Sequence, residues 1–268
     1  MIINLPDLIY REVIDQNDAN PHEWKQHWYP SGIGADTDSN HVGKCRRALF
    51  FDLTNADKTD PMDAPAIFKC NVGDLIHDYL NRLLTNQLLK LGWELQNING
   101  DEIPVVWKPD GVDFEFSGRL DYLFKKPDGK YVAVEWKSTY GRGFDMIKKT
   151  GAKVENLLQC CCYLNQDIYP LDEVLLMYAG RDNGYLLGYV VSKDPDQGLK
   201  IEQMGTELVS FSPIYFEDIL KSCKVVEKCV AEGILPKKDF GDKDWQCKYC
   251  SYATLCSEKE KECSTITI

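Results

Sequence analysis

The change of period between Ala64 and Ser138 constrains the fold of this chain most. From Ala64 to Leu91 the apolar residues Leu75, Ile76, Tyr79, Leu80, Leu83, Leu84 and Leu88 recur at helical spacing, and Gly92 supplies a stop. From Ile103 to Ser138 the period shortens to β-rich runs, Pro104–Trp107, Val112–Phe124 and Lys130–Ser138, with Pro127-Asp128-Gly129-Lys130 as a turn. These runs predict an antiparallel meander. A shorter helical pattern, Cys45–Leu53, precedes them. Helical character returns at Val154–Asn165, followed by the runs Glu173–Ala179 and Tyr185–Val191 and a helix near Ser212–Glu232. The order helix, strands, helix, strands, helix predicts an α/β core with helices packed on a mixed sheet. No repeat or long linker interrupts it, so residues 42–268 read as a single domain behind an N-terminal extension, residues 1–41.

A chain of 268 residues, 44% of them hydrophobic, can bury a substantial core, which excludes global disorder. No apolar run is long enough to span a bilayer, and the polar stretch Asp15–Asn40 does not resemble a signal peptide. The expectation is a soluble cytoplasmic protein with no membrane partner. A net charge of −11 argues against a non-specific coat for nucleic acid. It leaves room for local positive charge, for which Lys44/Arg46/Arg47, Lys125/Lys126 and Arg142/Lys148/Lys149/Lys153 are candidates. Each cluster also reads as an ordinary solvated face.

In Tyr131–Ser138, Val132, Val134 and Trp136 alternate with Ala133, Glu135 and Lys137, so a strand projects Glu135 and Lys137 from one face. A hairpin through Asp128-Gly129 brings Asp121, at the end of Gly118-Arg119-Leu120-Asp121, beside Glu135. Two carboxylates converging on one point call for a cation. Hard oxygen ligands suit Mg²⁺ or Mn²⁺, which lower the pKa of bound water and stabilise charge on a phosphodiester, with Lys137 positioning the water or offsetting the developing charge. The competing reading is a surface Glu–Lys ladder across a hairpin. His77 lies three, seven and eleven residues before Leu80, Leu84 and Leu88, on the inward stripe of its helix, where a satisfied core histidine is the alternative. Gly73, one turn earlier, leaves space for an approaching group.

Eleven cysteines, an odd number without a secretory signal, favour metal ligation over disulfides. Cys247, Cys250 and Cys256 form a Cx2Cx5C run, three thiols in one short loop that imply a metal with a fourth ligand from elsewhere. Cys160, Cys161 and Cys162 point in different directions on a helix and read as core packing, as do Cys70, Cys223 and Cys229.

Four patterns in order, Gly73-x-x-x-His77, Gly118-x-x-Asp121, Glu135-x-Lys137-Ser138-Thr139 and Gln159-x-x-x-Tyr163, resemble the RecB-like branch of the PD-(D/E)XK nucleases. They cover Gly73–Tyr163, and Leu120 stands where the name-giving Pro would be. The resemblance implies a restriction-endonuclease-like core in which His77, Asp121, Glu135 and the Trp136 carbonyl bind the metal. It also implies that Gln159 and Tyr163 contact DNA, an i, i+4 pair on one helix face. Cys45-Arg46-Arg47-Ala48-Leu49-Phe50-Phe51 is similar to a Cys-x-Arg-x-x-x-aromatic segment of the iron–sulfur nucleases of that branch, AddB-type and CRISPR-associated enzymes. The implied ligand set for a [4Fe–4S] cluster is Cys45, Cys247, Cys250 and Cys256, closing a loop of about two hundred residues. Cys263 is a rival fourth ligand, and zinc a rival metal.

The expected activity is a metal-dependent DNA exonuclease acting on single strands in end processing or recombination. No Walker A pattern occurs, so any helicase is a separate partner. A non-catalytic, DNA-binding iron–sulfur scaffold subunit is the alternative.

Overall fold

The structure, a computed structural model, describes residues 5–19 and 27–265, with side chains described as far as Glu260 at the C-terminal end. They form two compact units. One gathers α1 (Leu5–Ala19) with Cys45–Leu75 and the chain from Val226 onward; the other comprises His27–Lys44 and Ile76–Val225.

The larger unit begins with a 3₁₀ turn (Pro30–Gly32) and a hairpin of β1 (Gly34–Asp36) and β2 (His41–Gly43). Trp28, before the turn, is 2% exposed and exchanges backbone hydrogen bonds of 2.9 Å with Glu115 and Ser117. Residues from the stretch expected to be an extension are therefore integral to this unit.

Two helices then follow, α2 (Arg46–Leu53) and α3 (Ala64–Lys90). The end of α3 matches its sequence. Gly92 has φ +81°, and the amides of Gly92 and Trp93 turn back onto Leu89 and Leu88. The strand region comprises β3 (Glu94–Leu95), β4 (Ile103–Trp107), β5 (Phe116–Leu120), β6 (Tyr122–Lys125) and β7 (Tyr131–Thr139). After α4 (Gly141–Thr150) and α5 (Val154–Leu164) come β8 (Leu171–Gly180), β9 (Leu186–Asp194), β10 (Gly198–Gln203) and β11 (Val209–Ser212). The last helices are α6 (Phe216–Glu232), α7 (Trp245–Lys248) and α8 (Ala253–Thr265).

Seven strands make one mixed sheet in the order β11-β10-β9-β8-β7-β6-β3, in which β7 and β8 run parallel and the other neighbours antiparallel. β7 lies inside this sheet and is buried on both faces from Val132 to Trp136. Its alternation divides two cores. Val134 and Trp136 pack with Tyr122, Phe124 and Leu88, together with Ile76, Leu80 and Leu84 of α3. Glu135 and Lys137 alternate with these residues and project from the other face.

The meander differs from expectation. Val112–Phe124 is not one strand: β5 pairs with β4 in a separate two-stranded ribbon, β6 joins the seven-stranded sheet, and the break falls at Asp121. Asn97 explains the break. Its amide nitrogen donates to Asp101 O (2.8 Å) and Asp121 O (3.0 Å), and its oxygen accepts from Leu123 N at 2.9 Å. A side chain thus satisfies the backbone where the ladder stops.

Among the described residues, no helix is long and apolar enough to cross a membrane.

Candidate active site

The β6–β7 register pairs Tyr122 with Val134 and Leu123 with Ala133, which sets Asp121 opposite Glu135. The backbone amide of Trp136 donates to Asp121 Oδ2 at 2.9 Å. Asp121 is held from both ends, its side chain by β7 and its carbonyl by Asn97. Glu135 is 3% exposed and lies 2.7 Å from the Lys137 ammonium through Oε1.

Burial, and then the facing Glu135 carboxylate, push Asp121 well above the usual carboxylate range, against the opposing pull of the Trp136 amide and Lys137. Burial works to lower the Lys137 pKa, but the charge of Glu135 and its hydrogen bond outweigh it and raise the pKa. One ammonium thus faces two carboxylates, an arrangement short of positive charge.

The packing beneath these groups explains two of the sequence patterns. Gly118 has no room for a side chain, since a Cβ there would lie 2.9 Å from Tyr163 Cε1 and 3.1 Å from Pro30 Cγ. Tyr163 rests against that bare backbone and donates from its hydroxyl to Arg119 O at 2.7 Å, while Gln159 Nε2 donates to the same hydroxyl at 3.3 Å. Gln159 and Tyr163 are 4% and 2% exposed and support the strand that leads into Asp121. The i, i+4 spacing sets the pair on one face of α5, which is buried across Leu157–Leu164.

His77, on α3, has a buried Nε2 with no hydrogen-bond partner among the described residues. Burial, followed by the positive charges of Lys137 and Arg181, pushes its pKa down to about 4, so the imidazole is neutral at pH 7. An unsatisfied, neutral ring nitrogen is the form that binds metal. The structure brings Asp121, Glu135 and Lys137 together and sets His77 within electrostatic reach of Lys137. Among the described residues, however, no group of three or more His, Cys, Asp or Glu side chains closes to metal-holding distance. The donors nevertheless fit a hard divalent cation: two facing carboxylates, one held above its ordinary pKa by burial and then by the other, and an orphaned imidazole.

The sequence reading did not single out Asn97 or Arg181. Asn97 sits in a loop and carries no motif. Arg181 follows β8, its amide donating to Thr139 O at 2.8 Å and its Nε to Ser138 Oγ at 3.1 Å.

In the smaller unit, Cys45 is the N-cap residue of α2, and Cys45, Cys250 and Cys256 pack on one core formed by Ala48, Phe51 and Tyr252. The Cys247 thiol is pushed up first by burial and further by Cys45 and Cys250, whereas Lys238 pulls it down. Arg47 donates to Cys256 Sγ at 3.3 Å and to Glu260 at 2.8 Å, and its Nε donates to Pro236 O at 2.9 Å. The Arg46 backbone amide and guanidinium both engage the Asp239 carboxylate. Tyr252 donates to Asp52 Oδ1 at 2.7 Å. These bonds hold the Cys45 segment to the Cx2Cx5C segment. Arg47 at Cys256 and Lys238 near Cys247 are the cationic neighbours that suit thiolates, although among the described residues these thiols do not close to metal-holding distance. The side chain of Cys263, the rival ligand, lies outside the described residues. Cys160, Cys161 and Cys162 are buried, and burial pushes Cys161 up to about 12, as suits packing groups.

The profile of the PD-(D/E)XK nuclease superfamily matches residues 48–257. The solved structure titled "Crystal structure of SSO0001" superposes with a TM-score of 0.53 at 13% identity, over 95% of this chain and 96% of that one, a likeness of fold. None of the curated proteins matches.

Proposed function

The chain belongs to the PD-(D/E)XK nuclease superfamily, and on that footing we propose that it is a metal-dependent DNA exonuclease acting on single strands in end processing or recombination. The observation that carries the reading is the convergence of Asp121, Glu135 and Lys137 at the break between β5 and β6, with His77 kept neutral nearby. A surface Glu–Lys ladder would be exposed, whereas Glu135 is buried. A scaffold relieved of catalysis gains nothing from burying two facing carboxylates, which costs folding energy.

His77, Asp121, Glu135 and the Trp136 carbonyl would hold Mg²⁺ or Mn²⁺. Such an ion, when bound, acidifies water and neutralises charge on the phosphodiester. Asp121 keeps its position because Trp136 N and Asn97 hold it. Lys137, bonded to Glu135, orients the attacking water and offsets negative charge on the phosphate oxygens. Gln159 and Tyr163 keep the β5 backbone against α5, so Asp121 reaches the site at a fixed height.

We assign Cys45, Cys247, Cys250 and Cys256 to a [4Fe–4S] cluster with a structural role. Support comes from the shared core under three of them and from the two cations beside the thiols. The test of the activity offers linear, circular, 5′-blocked and 3′-blocked single strands with Mg²⁺ or Mn²⁺. Loss of cleavage on circles and at one blocked end supports the exonuclease; equal cutting of circles replaces it with an endonuclease.

A further inference from the structure

The carboxyl ends of the parallel strands β7 and β8 carry a feature that no sequence motif announces. In open α/β sheets this is the edge at which ligands bind. Tyr140 follows β7, three residues after Lys137, and its ring is 52% exposed. Arg181 follows β8, and its guanidinium carbon lies 5.5 Å from the centre of the Tyr140 ring. Two bonds to one residue hold that guanidinium, from Nε to Ser138 Oγ at 3.1 Å and from Nη2 to Ser138 O at 3.4 Å. Ser138 adjoins Lys137, so the shelf and the catalytic lysine share one stretch of backbone. Beyond Tyr140, α4 carries Arg142 in its first turn and Lys148 and Lys149 in its last. Its first amide, Gly141 N, is taken by Asp182 at 2.6 Å, which leaves the ring and the basic side chains to meet a ligand.

We infer that Tyr140 and Arg181 form a stacking shelf for the nucleobase beside the scissile phosphate, with Arg181 steadying the ring and adding positive charge at the flanking phosphate. This rests on the nuclease reading and deepens it. An aromatic face beside a cation suits an unpaired base, whose π-face is free, whereas bases in a duplex are already stacked on one another. The shelf therefore selects single strands or frayed ends by their chemistry and is indifferent to sequence.

The test uses the full chain with Mn²⁺ and labelled oligonucleotides in which one abasic residue is moved along the strand. Initial rates give KM and kcat for the wild type and for Tyr140→Ala, Tyr140→Phe and Arg181→Ala. The wild-type KM is expected to rise about tenfold when the abasic residue occupies one position beside the cut, in line with the usual worth of one stacked base. Tyr140→Ala shows that raised KM on the intact strand, with no further rise at the abasic position, and keeps kcat within about twofold. Tyr140→Phe behaves as wild type, and Arg181→Ala lies between. A wild-type KM in Tyr140→Ala, or an undiminished abasic effect in that variant, overturns the shelf. Fluorescence anisotropy on the Asp121→Asn background repeats the comparison for binding alone. If the wild type cuts nothing, the nuclease reading fails, while the anisotropy series still decides whether the shelf exists.

Discussion

The Asp121 carboxylate accepts the backbone amide of Trp136 at 2.9 Å, so the strand that carries Glu135 also holds the acid facing it. Neither carboxylate can withdraw from the other without breaking a bond of β7 or exposing a buried core. The repulsion is built into the register, and a cation relieves it.

Asp121→Asn keeps an oxygen for the Trp136 amide and removes the charge. In metal-free protein the variant is expected to be more stable than wild type, with Tm higher by several degrees. Mn²⁺ then raises the Tm of wild type and leaves that of the variant unchanged. Scanning calorimetry with and without Mn²⁺ checks this; equal metal-induced shifts in both proteins would count against Asp121 as a ligand.

His77 sets the acid side of stability. Its folded pKa, about 4, lies below the ordinary value of 6.5, so between those values the unfolded chain binds more protons and stability falls as pH falls. This contribution is complete above the unfolded pKa and is lost progressively toward pH 4. Asp121 acts in the opposite sense, since its raised pKa makes metal-free protein gain stability as pH falls toward the ordinary carboxylate value. Comparing wild type with His77→Gln isolates the histidine: the difference in their unfolding free energies should change by about 2 kcal/mol between pH 7.5 and pH 5 in urea titrations without metal. A constant difference refutes the buried neutral imidazole.

Asn97→Ala strips the Asp121 carbonyl and the Leu123 amide of their partner. The expected cost is about 2 kcal/mol in stability, with a fall in kcat larger than any change in KM, because buried Asn97 acts through the backbone at Asp121. Asn97→Asp keeps the acceptor for the Leu123 amide but sets a carboxylate against the Asp101 and Asp121 carbonyls, and should not restore kcat. Restoration of kcat by the Asp variant would remove Asn97 from the positioning of Asp121.

For the thiols, anaerobically purified protein should contain iron and acid-labile sulfide in about four equivalents each. Cys250→Ser should lose both and unfold at lower temperature, whereas Cys229→Ser keeps both. Stoichiometric zinc without iron would replace the cluster with a zinc site.

Much of this was legible in the chain. The alternation of β7 was legible because that strand is buried on both faces, whereas of the α3 stripe only Ile76, Leu80, Leu84 and Leu88 pack on the core and Leu75, Tyr79 and Leu83 are exposed. The helix α4 was not anticipated: Gly141 and Gly143 interrupt its start, and only Phe144 and Ile147 of it are buried. A strand ending at Asp121 was legible; that β5 leaves the main sheet for a ribbon with β4 was not, because Leu120 and Tyr122 are both good strand residues and the clamp that stops the ladder comes from Asn97, 24 residues away. Spacing puts Gln159 and Tyr163 on one face of a helix, but it does not reveal that Gly118 and the Arg119 carbonyl cover that face.

The most direct test of the account measures Mn²⁺-dependent cleavage of end-labelled single-stranded DNA by wild type, Lys137→Ala and Asp121→Ala, each shown by circular dichroism to be folded. Wild type is expected to cleave the strand, and both variants to lose activity by about a hundredfold or more. Unchanged cleavage in the two variants would contradict it.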